Sequence, residues 1–370
     1  MRVLVLNPGS STLKAAVLVA ASGEVVAADT IEWRAGLAGA AAVVATALDR
    51  LPINTADAVG YRVVHGGSRY TAPSAVDEAL LSAVEELDAL APLHNRRAAA
   101  VMRAARQLLP DLQHVACFDT AFHADLPEEA RRYPLPAEWV ERWGIRRYGF
   151  HGLSITWAVR RASELLERSS EDLALVVAHL GSGCSVTAVD GGRSVDTSMG
   201  FTPYEGLMMG TRAGSVDPGI LLRLAADGVP VAELADGLGH RAGFAAITGT
   251  SDVREVERRS SAGDSMAHLA IDMFTRRAAA SIAAAATSLP RIDALVFTGG
   301  IGEHSHLIRA GIVRRLGCIG IRDDVRDADA DAVLTQGQTS ILVVEAREDR
   351  VIADEVAEWL DTDWADLRRL

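Results

Sequence analysis

The feature that most constrains this chain is a pattern that occurs twice. Residues 3–17 read VLVLNPGSSTLKAAV and residues 175–189 read LVVAHLGSGCSVTAV. At a constant offset Gly9 falls on Gly181, Ser10 on Ser182, and Ala16-Val17 on Ala188-Val189. In each copy an apolar run, a Gly-Ser turn and a second apolar run predict a β-hairpin. Glycine carries no side chain, so the backbone of such a turn can approach a ligand closely. Its N–H groups suit an anion, most often phosphate. Taken singly, either turn reads more simply as an ordinary hairpin. Half a chain apart, the two together predict an internal duplication with one phosphate-handling hairpin in each half.

A chain of 370 residues has room for two domains, each with its own core. The hydrophobic content of 49% and charged content of 23% are those of a globular enzyme. A net charge of −12 argues against a general nucleic-acid-binding surface. The cysteines Cys117, Cys184 and Cys318 are odd in number and widely spaced, which fits a reducing cytosol and gives no zinc pattern. The N-terminus enters a strand directly, so no signal peptide is expected. No uncharged apolar run approaches the roughly 18 residues of a membrane helix.

Between and beyond the hairpins the pattern alternates strand and helix. Residues 58–64 (AVGYRVV), 114–118 (HVACF), 293–298 (DALVFT) and 340–345 predict buried strands. Helices are expected at 35–50, 77–91, from Arg96, at 154–166, through most of 219–260, and at 348–360. The run at 265–289 places Ile271, Phe274, Ala278, Ile282, Ala285 and Leu289 on one stripe, read as core. Several positions carry chemistry. Arg62 interrupts a buried strand and needs a partner, either an anionic ligand or a structural carboxylate. Asp119 follows the strand at 114–118, where α/β enzymes often place catalytic groups; its alternative role is a cap for the next turn. His94 stands at a helix entry, to cap it or to touch a ligand. His151 is flanked by Phe150 and Gly152 after Gly149, which leaves it accessible. Gly299-Gly300-Ile301-Gly302-Glu303 reads as a Gly-rich loop from strand into a helix opening near Ser305, a phosphate or nucleotide site in many folds.

The stretches NPGSSTLK, YRVVHGG, APLHN, FDTAFH, RRYGFHG, SVDTSMGFTPYEGLMMGTR, FTGGIGE and EDRVIA, in this order, resemble the acetate and propionate kinase family of the actin, sugar-kinase and heat-shock ATPase superfamily. The resemblance runs from residue 1 to about residue 356 and implies an α/β fold of two duplicated ribonuclease-H-like domains with the active cleft between them. The first domain would span 1–121 plus a C-terminal helix at 351–370, and the second, nucleotide-binding domain 122–350. The implied activity is reversible, ATP-dependent phosphorylation of acetate to acetyl phosphate with release of ADP, by direct in-line transfer. The alternatives are propionate or another short carboxylate as acceptor, or a catalytically weakened ATP-binding homologue with a regulatory role. Such a transfer brings two anions together, so it needs cations and fixed donors more than a base.

By the same resemblance, Arg62 and Arg212 hold the carboxylate and the transferring phosphoryl, His151 donates to its equatorial oxygens, and Asp119 acts with magnesium or an arginine. Val64, Leu93, Phe150 and Pro203 form a small apolar substrate pocket with Arg62, and such a pocket separates acetate from propionate only weakly. Asn7, Ser10, Thr12 and Lys14, with His179, Leu180, Gly181, Ser182 and Gly183, line the phosphates. Asp252, Val253, Arg254, Gly300, Ile301, Gly302 and His304 take the adenine side. Asn7 and Glu348 are implied at a Mg²⁺ site, with Mn²⁺ as the alternative metal. His94 and His179 match active-site histidines. A cytoplasmic homodimer acting on ATP and acetate is implied, with no nucleic-acid or membrane partner. The chain departs from the family pattern at Leu153 and Ile155 (threonine and histidine), Ser182 (asparagine), Ala213 and Ser215 (serine and aspartate), His304 (asparagine) and Ala346-Arg347. These changes lie around the expected transfer centre, whose two arginines, His151 and Asp119 are present.

Overall fold

The computed structural model describes residues 1–367 apart from Ser10, Ala35, Pro92, Leu93, Asp323, Asp324, Asp329 and Ala330, with side chains described as far as Thr362. Its contacts divide into two units. The first comprises Met1–Ala124, Phe150–Trp157 and the chain from Arg347 onward; the second comprises Asp125–Gly149 and Ala158–Ala346. The segment Phe150–Trp157, placed by the sequence reading in the second domain, thus packs with the first.

Each unit is built on a six-stranded sheet among the described residues. In the first unit the strands are β1 (Arg2–Pro8), β2 (Thr12–Val19), β3 (Val25–Glu32), β4 (Ala58–Val63), β5 (Ser74–Ala75) and β6 (Gln113–Phe118), in the order β3-β2-β1-β4-β6-β5. β1, β2 and β3 form an antiparallel meander, β1, β4 and β6 run parallel, and β5 closes the far edge antiparallel to β6. The second unit has β7 (Ala174–Leu180), β8 (Cys184–Asp190), β9 (Arg193–Thr197), β10 (Ala294–Thr298), β11 (Ala332–Thr335) and β12 (Ser340–Val343), in the order β11-β12-β10-β7-β8-β9. Its parallel and antiparallel pairings repeat those of the first sheet strand for strand. The duplication read from two short sequences therefore extends across both sheets.

The constant offset fails after the turn. Pro8 pairs with Leu13 and Leu180 with Cys184, so the first turn holds one residue more than the second. Val5 faces Ala16, but its counterpart Val177 faces Thr187. Ala16-Val17 therefore corresponds to Thr187-Ala188, not to Ala188-Val189. The ladder to the third strand confirms the shift, with its irregularity between Val17 and Leu18 in one unit and between Ala188 and Val189 in the other.

The parallel strands are buried along nearly their whole length, as strands covered on both faces must be. The helix Asn95–Leu108 buries Ala98, Ala99, Val101, Met102 and Ala105. The closing helix, expected at 348–360, runs from Glu348 to Leu367. It packs directly on β4 because Gly60 has no side chain: a Cβ there would lie 2.6 Å from Ile352 and 2.9 Å from Val356. Strands β3, β5, β9 and β11 were not expected. They are short or half-exposed edge segments without a clean apolar run. The Gly-rich segment also differs from expectation. Helix begins at once as Gly299–His304, and Ser305 then caps a second helix, His306–Val313, through Ile308 N at 3.0 Å. Among the described residues no helix is long and apolar enough to cross a membrane.

The closing helix also sets Glu355 beside Cys117 of β6. Burial pushes the Glu355 carboxyl up to about 7, a hydrogen bond to Cys117 opposes the shift, and the charges of Glu358 and Asp119 add to it. The folded chain thus holds this proton more tightly than the unfolded chain. Below the unfolded pKa the burial costs nothing, the cost grows as pH rises from there to about 7, and above 7 it is fully present. Glu355→Gln should therefore stabilise the protein by roughly 1–3 kcal/mol at pH 8.5 and leave it unchanged near pH 4.5, as read from denaturant unfolding at the two pH values.

Candidate active site

Parallel strands in register deliver their C-terminal residues side by side. Leu6 pairs with Tyr61, so Asn7, the last residue but one of β1, lies next to Arg62 on β4. Arg62 pairs with Cys117, and Asp119 follows the end of β6 with its N–H donating to Val63 O at 2.9 Å. The closing helix adds Glu348 at its first position. These four side chains form one cluster. Arg62 donates through Nε and Nη2 to Asp119, at 3.0 and 2.7 Å to Oδ2, and through Nη1 to Glu348 Oε2 at 2.7 Å. Asn7 Nδ2 donates to the same Glu348 oxygen at 3.1 Å. The carboxylate alternative left open for Arg62 is thus realised within the chain. Asp119 does not cap the following turn, whose N-cap is Thr120 with no side-chain bond.

The electrostatics of the cluster follow from its burial. Burial pushes the Asp119 carboxyl up, Arg62 opposes that shift, and Glu348 adds to it. Burial also opposes the charge on Arg62, but the two carboxylates outweigh it and hold the guanidinium firmly protonated. Two ionised acids against one cation leave the cluster with a net negative charge. Lys14 lies directly across the hairpin from Asn7 and is exposed, so its ammonium stands on the same face. Thr12 starts β2 and closes the turn through its carbonyl, which accepts from Gly9 N at 2.8 Å. Ser10 lies outside the described residues.

His151 also belongs to the first unit. Its φ of 61° is left-handed, a conformation costing a residue with a Cβ roughly 1–2 kcal/mol. Val64 and Phe150 of the expected substrate pocket are buried in this unit, while Leu93 lies outside the described residues. His94 occupies the N-cap of the helix Asn95–Leu108 but makes no capping bond with its side chain.

In the second unit Arg212 sits on a tightly braced loop. Ser215 N donates to Gly206 O and Gly206 N to Ser215 Oγ, at 3.0 and 3.1 Å. Met209 N donates to Arg212 O at 3.0 Å, and Arg277 donates to Ala213 O at 3.1 Å. Gly214 is required by its φ of 72° and by Leu207 O, 2.3 Å from where a Cβ would be. Ser215, one of the departures from the family pattern, thus fastens the loop. Arg212 itself donates to the carbonyl of buried Pro203 at 3.2 Å, and burial lowers its pKa. Among the described residues no carboxylate lies within ion-pair distance of it, in contrast to Arg62.

A recess of about 510 Å³ in the second unit gathers Gly181, Ser182, Asp252, Val253, Arg254, Gly300, Ile301 and His304 from the expected nucleotide set. It also takes in Gly210, Ser251, Glu257 and Ser305, which the sequence reading missed. Glu257 had one visible signal, being a helical turn beyond Val253. His179, Leu180, Gly183 and Gly302 do not line it. Leu180 is fully buried, and its carbonyl would lie 2.8 Å from a Cβ on Gly299, which keeps that position glycine. Nothing blocks a Cβ on Gly300, whose backbone faces open space. Arg254 is fixed by Asp252, with Nε and Nη2 at 3.0 and 2.8 Å from its two oxygens, and Asp252 also caps the helix Val253–Ser261. Of the other departures, Leu153 and Ile155 are buried apolar positions, where apolar side chains pack without a polar partner.

The Acetokinase family profile matches residues 40–354. The chain is 43% identical to an acetate kinase of Deinococcus radiodurans, over 96% of this chain and 98% of that one. It is 48% identical to an acetate kinase of a Synechococcus strain, over 80% and 74%. Among solved structures, it superposes on a propionate kinase from Francisella tularensis with a TM-score of 0.86 at 32% identity, covering 96% and 98% of the two chains. The acetate kinase of Porphyromonas gingivalis gives a TM-score of 0.85 at 31% identity, covering 97% and 99%. With this profile, these relatives and two matching sheets, the chain belongs to the acetokinase family.

Proposed function

We propose that this protein is a phosphotransferase with a carboxyl acceptor, transferring the γ-phosphoryl of ATP to acetate to give acetyl phosphate and ADP. The observation that carries the reading is Arg212: a largely buried guanidinium with no acidic partner among the described residues, on a loop braced from both sides. A buried cation without a counter-ion is costly and favours an anion. Arg62, already balanced by Asp119 and Glu348, is fixed in place and keeps the second cation close to those acids. In this reading both arginines, with His151 as a donor, act on one carboxylate and one phosphoryl, and Asn7, Thr12, Lys14, Ser182 and Gly181 take the phosphates. The charge that develops on the transferring oxygens is met by fixed donors that need no reorganisation. Ser10, Leu93, His179, Leu180, Gly183 and Gly302 keep the roles implied by the resemblance.

Magnesium, or manganese in its place, fits the first cluster. Among the described residues no three His, Cys, Asp or Glu side chains converge as a protein-only metal cage. Magnesium commonly asks for less, one or two carboxylates with the remaining ligands from water and nucleotide phosphates. Glu348 and Asp119, with Asn7 beside them, would hold it, and the ion would neutralise charge on the phosphates. Propionate is the second acceptor to test, because a small apolar pocket separates one methylene only weakly. The free thiols Cys117, Cys184 and Cys318 suit a reducing, cytoplasmic setting.

A homodimer fits the surface of the second unit. The helix Pro218–Ala226, PGILLRLAA, buries none of its residues, Leu222 is 72% exposed, and Val231 just beyond is 79% exposed. An apolar patch of this kind usually meets a partner surface.

Hydroxylamine trapping of acyl phosphate, with ATP, Mg²⁺ and a panel of acetate, propionate and butyrate, should yield product with acetate. No product from a sample that still binds ATP would overturn the reading. Arg62→Ala and Arg212→Ala should each lower turnover by roughly tenfold or more with an unchanged circular dichroism spectrum. Leu222→Glu should convert a dimer to a monomer in analytical ultracentrifugation, and an unchanged sedimentation coefficient would remove this helix from the interface.

A further inference from the structure

His151 is held in its left-handed conformation by ties to the segment that carries Asp119. On its C-terminal side, Gly152 N donates to Asp119 O at 2.8 Å. A Cβ at Gly152 would lie 2.3 Å from that oxygen, so the position admits only glycine without a shift of the backbone. On its N-terminal side, the carbonyl of Phe150 accepts from His123 Nε2 at 3.1 Å. The Phe150 ring meets the edge of His65, with centroids 5.3 Å apart and planes at 76°. His123 is fully buried at the end of the short turn Ala121–His123 that follows Asp119. Burial lowers its pKa to about 4, so the imidazole is neutral at ordinary pH and its one ring proton is available to a carbonyl.

We propose that His123 is a positioning residue for His151, acting through the Phe150 carbonyl. The peptides on either side of His151 are then both fastened to residues 119–123, one through a main-chain oxygen and one through an imidazole. This fixes the direction of the His151 side chain relative to Asp119. Loss of the His123 donor frees the Phe150 peptide, and the strained φ at His151 relaxes. The His151 ring then leaves the place where it donates to the phosphoryl. A displacement of about 1 Å at such a group costs on the order of a hundredfold in rate. The inference rests on the kinase reading, in which His151 is a donor to the transferring group.

The test is a double-mutant cycle in the full chain, read by the hydroxylamine assay. His123→Leu should lower kcat by roughly thirtyfold or more, with KM for ATP and acetate changed by less than about twofold. His123→Gln, whose amide can also donate, should recover most of that loss. In a His151→Ala background, His123→Leu should cost less than about threefold more, since the residue it positions is already gone. Should His123→Leu fail to fold, His123→Asn, with a shorter amide, is read in the same cycle. Equal cost in both backgrounds, or a folded His123→Leu with unchanged kcat, overturns the proposal while leaving the kinase reading intact. Absence of acyl phosphate from the wild-type chain overturns both.

Discussion

The first unit is organised around the need to keep one guanidinium charged in a buried place. Arg62 comes from the middle of a sheet, where a lone charge is prohibitively expensive. The cost is met from three directions: the end of β6 supplies Asp119, the first residue of the closing helix supplies Glu348, and β1 supplies Asn7 to hold Glu348. Each partner is delivered by a different part of the fold. The cluster therefore requires the parallel register of β1, β4 and β6 and the docking of a helix from the far end of the chain. That docking in turn relies on Gly60, so a missing side chain on one strand helps place a carboxylate beside the next residue but one.

The second unit repeats the sheet but not the charge balance. Its strand ends carry His179 in place of Asn7 and Thr298 in place of the balanced arginine. Its arginine sits on a loop instead of a strand, unmatched by an acid among the described residues. Duplication gave two copies of one scaffold, and the two copies then took complementary electrostatics. One holds a cation already paired and an excess of negative charge suited to a metal. The other holds a cation unpaired, suited to an anion.

Much of this was legible in the sequence, for physical reasons. The central strands are continuous apolar runs, and the long helix Ser265–Ala286 carries a clean stripe, so periodicity alone finds them. Arg62 stood out because a charge in such a run demands an explanation. The edge strands did not stand out, because a half-exposed strand needs no apolar alternation. The one-residue slip in the hairpins was hidden because alanine and valine recur on both faces, and only the pairing ladder separates them. Glu257 and Ser251 were missed because a recess is assembled from loops distant in sequence. The capture of residues 150–157 by the first unit was hidden too. It is fastened by two hydrogen bonds, Gly152 N to Asp119 O and the His123 ring to Phe150 O, between residues distant in sequence.

The extra residue in the first hairpin turn has a consequence for anyone recombining the two halves. Side chains alternate along a strand, so a one-residue offset exchanges inside for outside. A chimera that puts β8 in place of β2 behind the first hairpin turn, spliced at the ungapped alignment, would turn each grafted side chain to the wrong face. Spliced one residue earlier, the same graft keeps Thr187 where Ala16 stood and Ala188 where Val17 stood. The ancestral repeat can be read, and rebuilt, only with that single step taken into account.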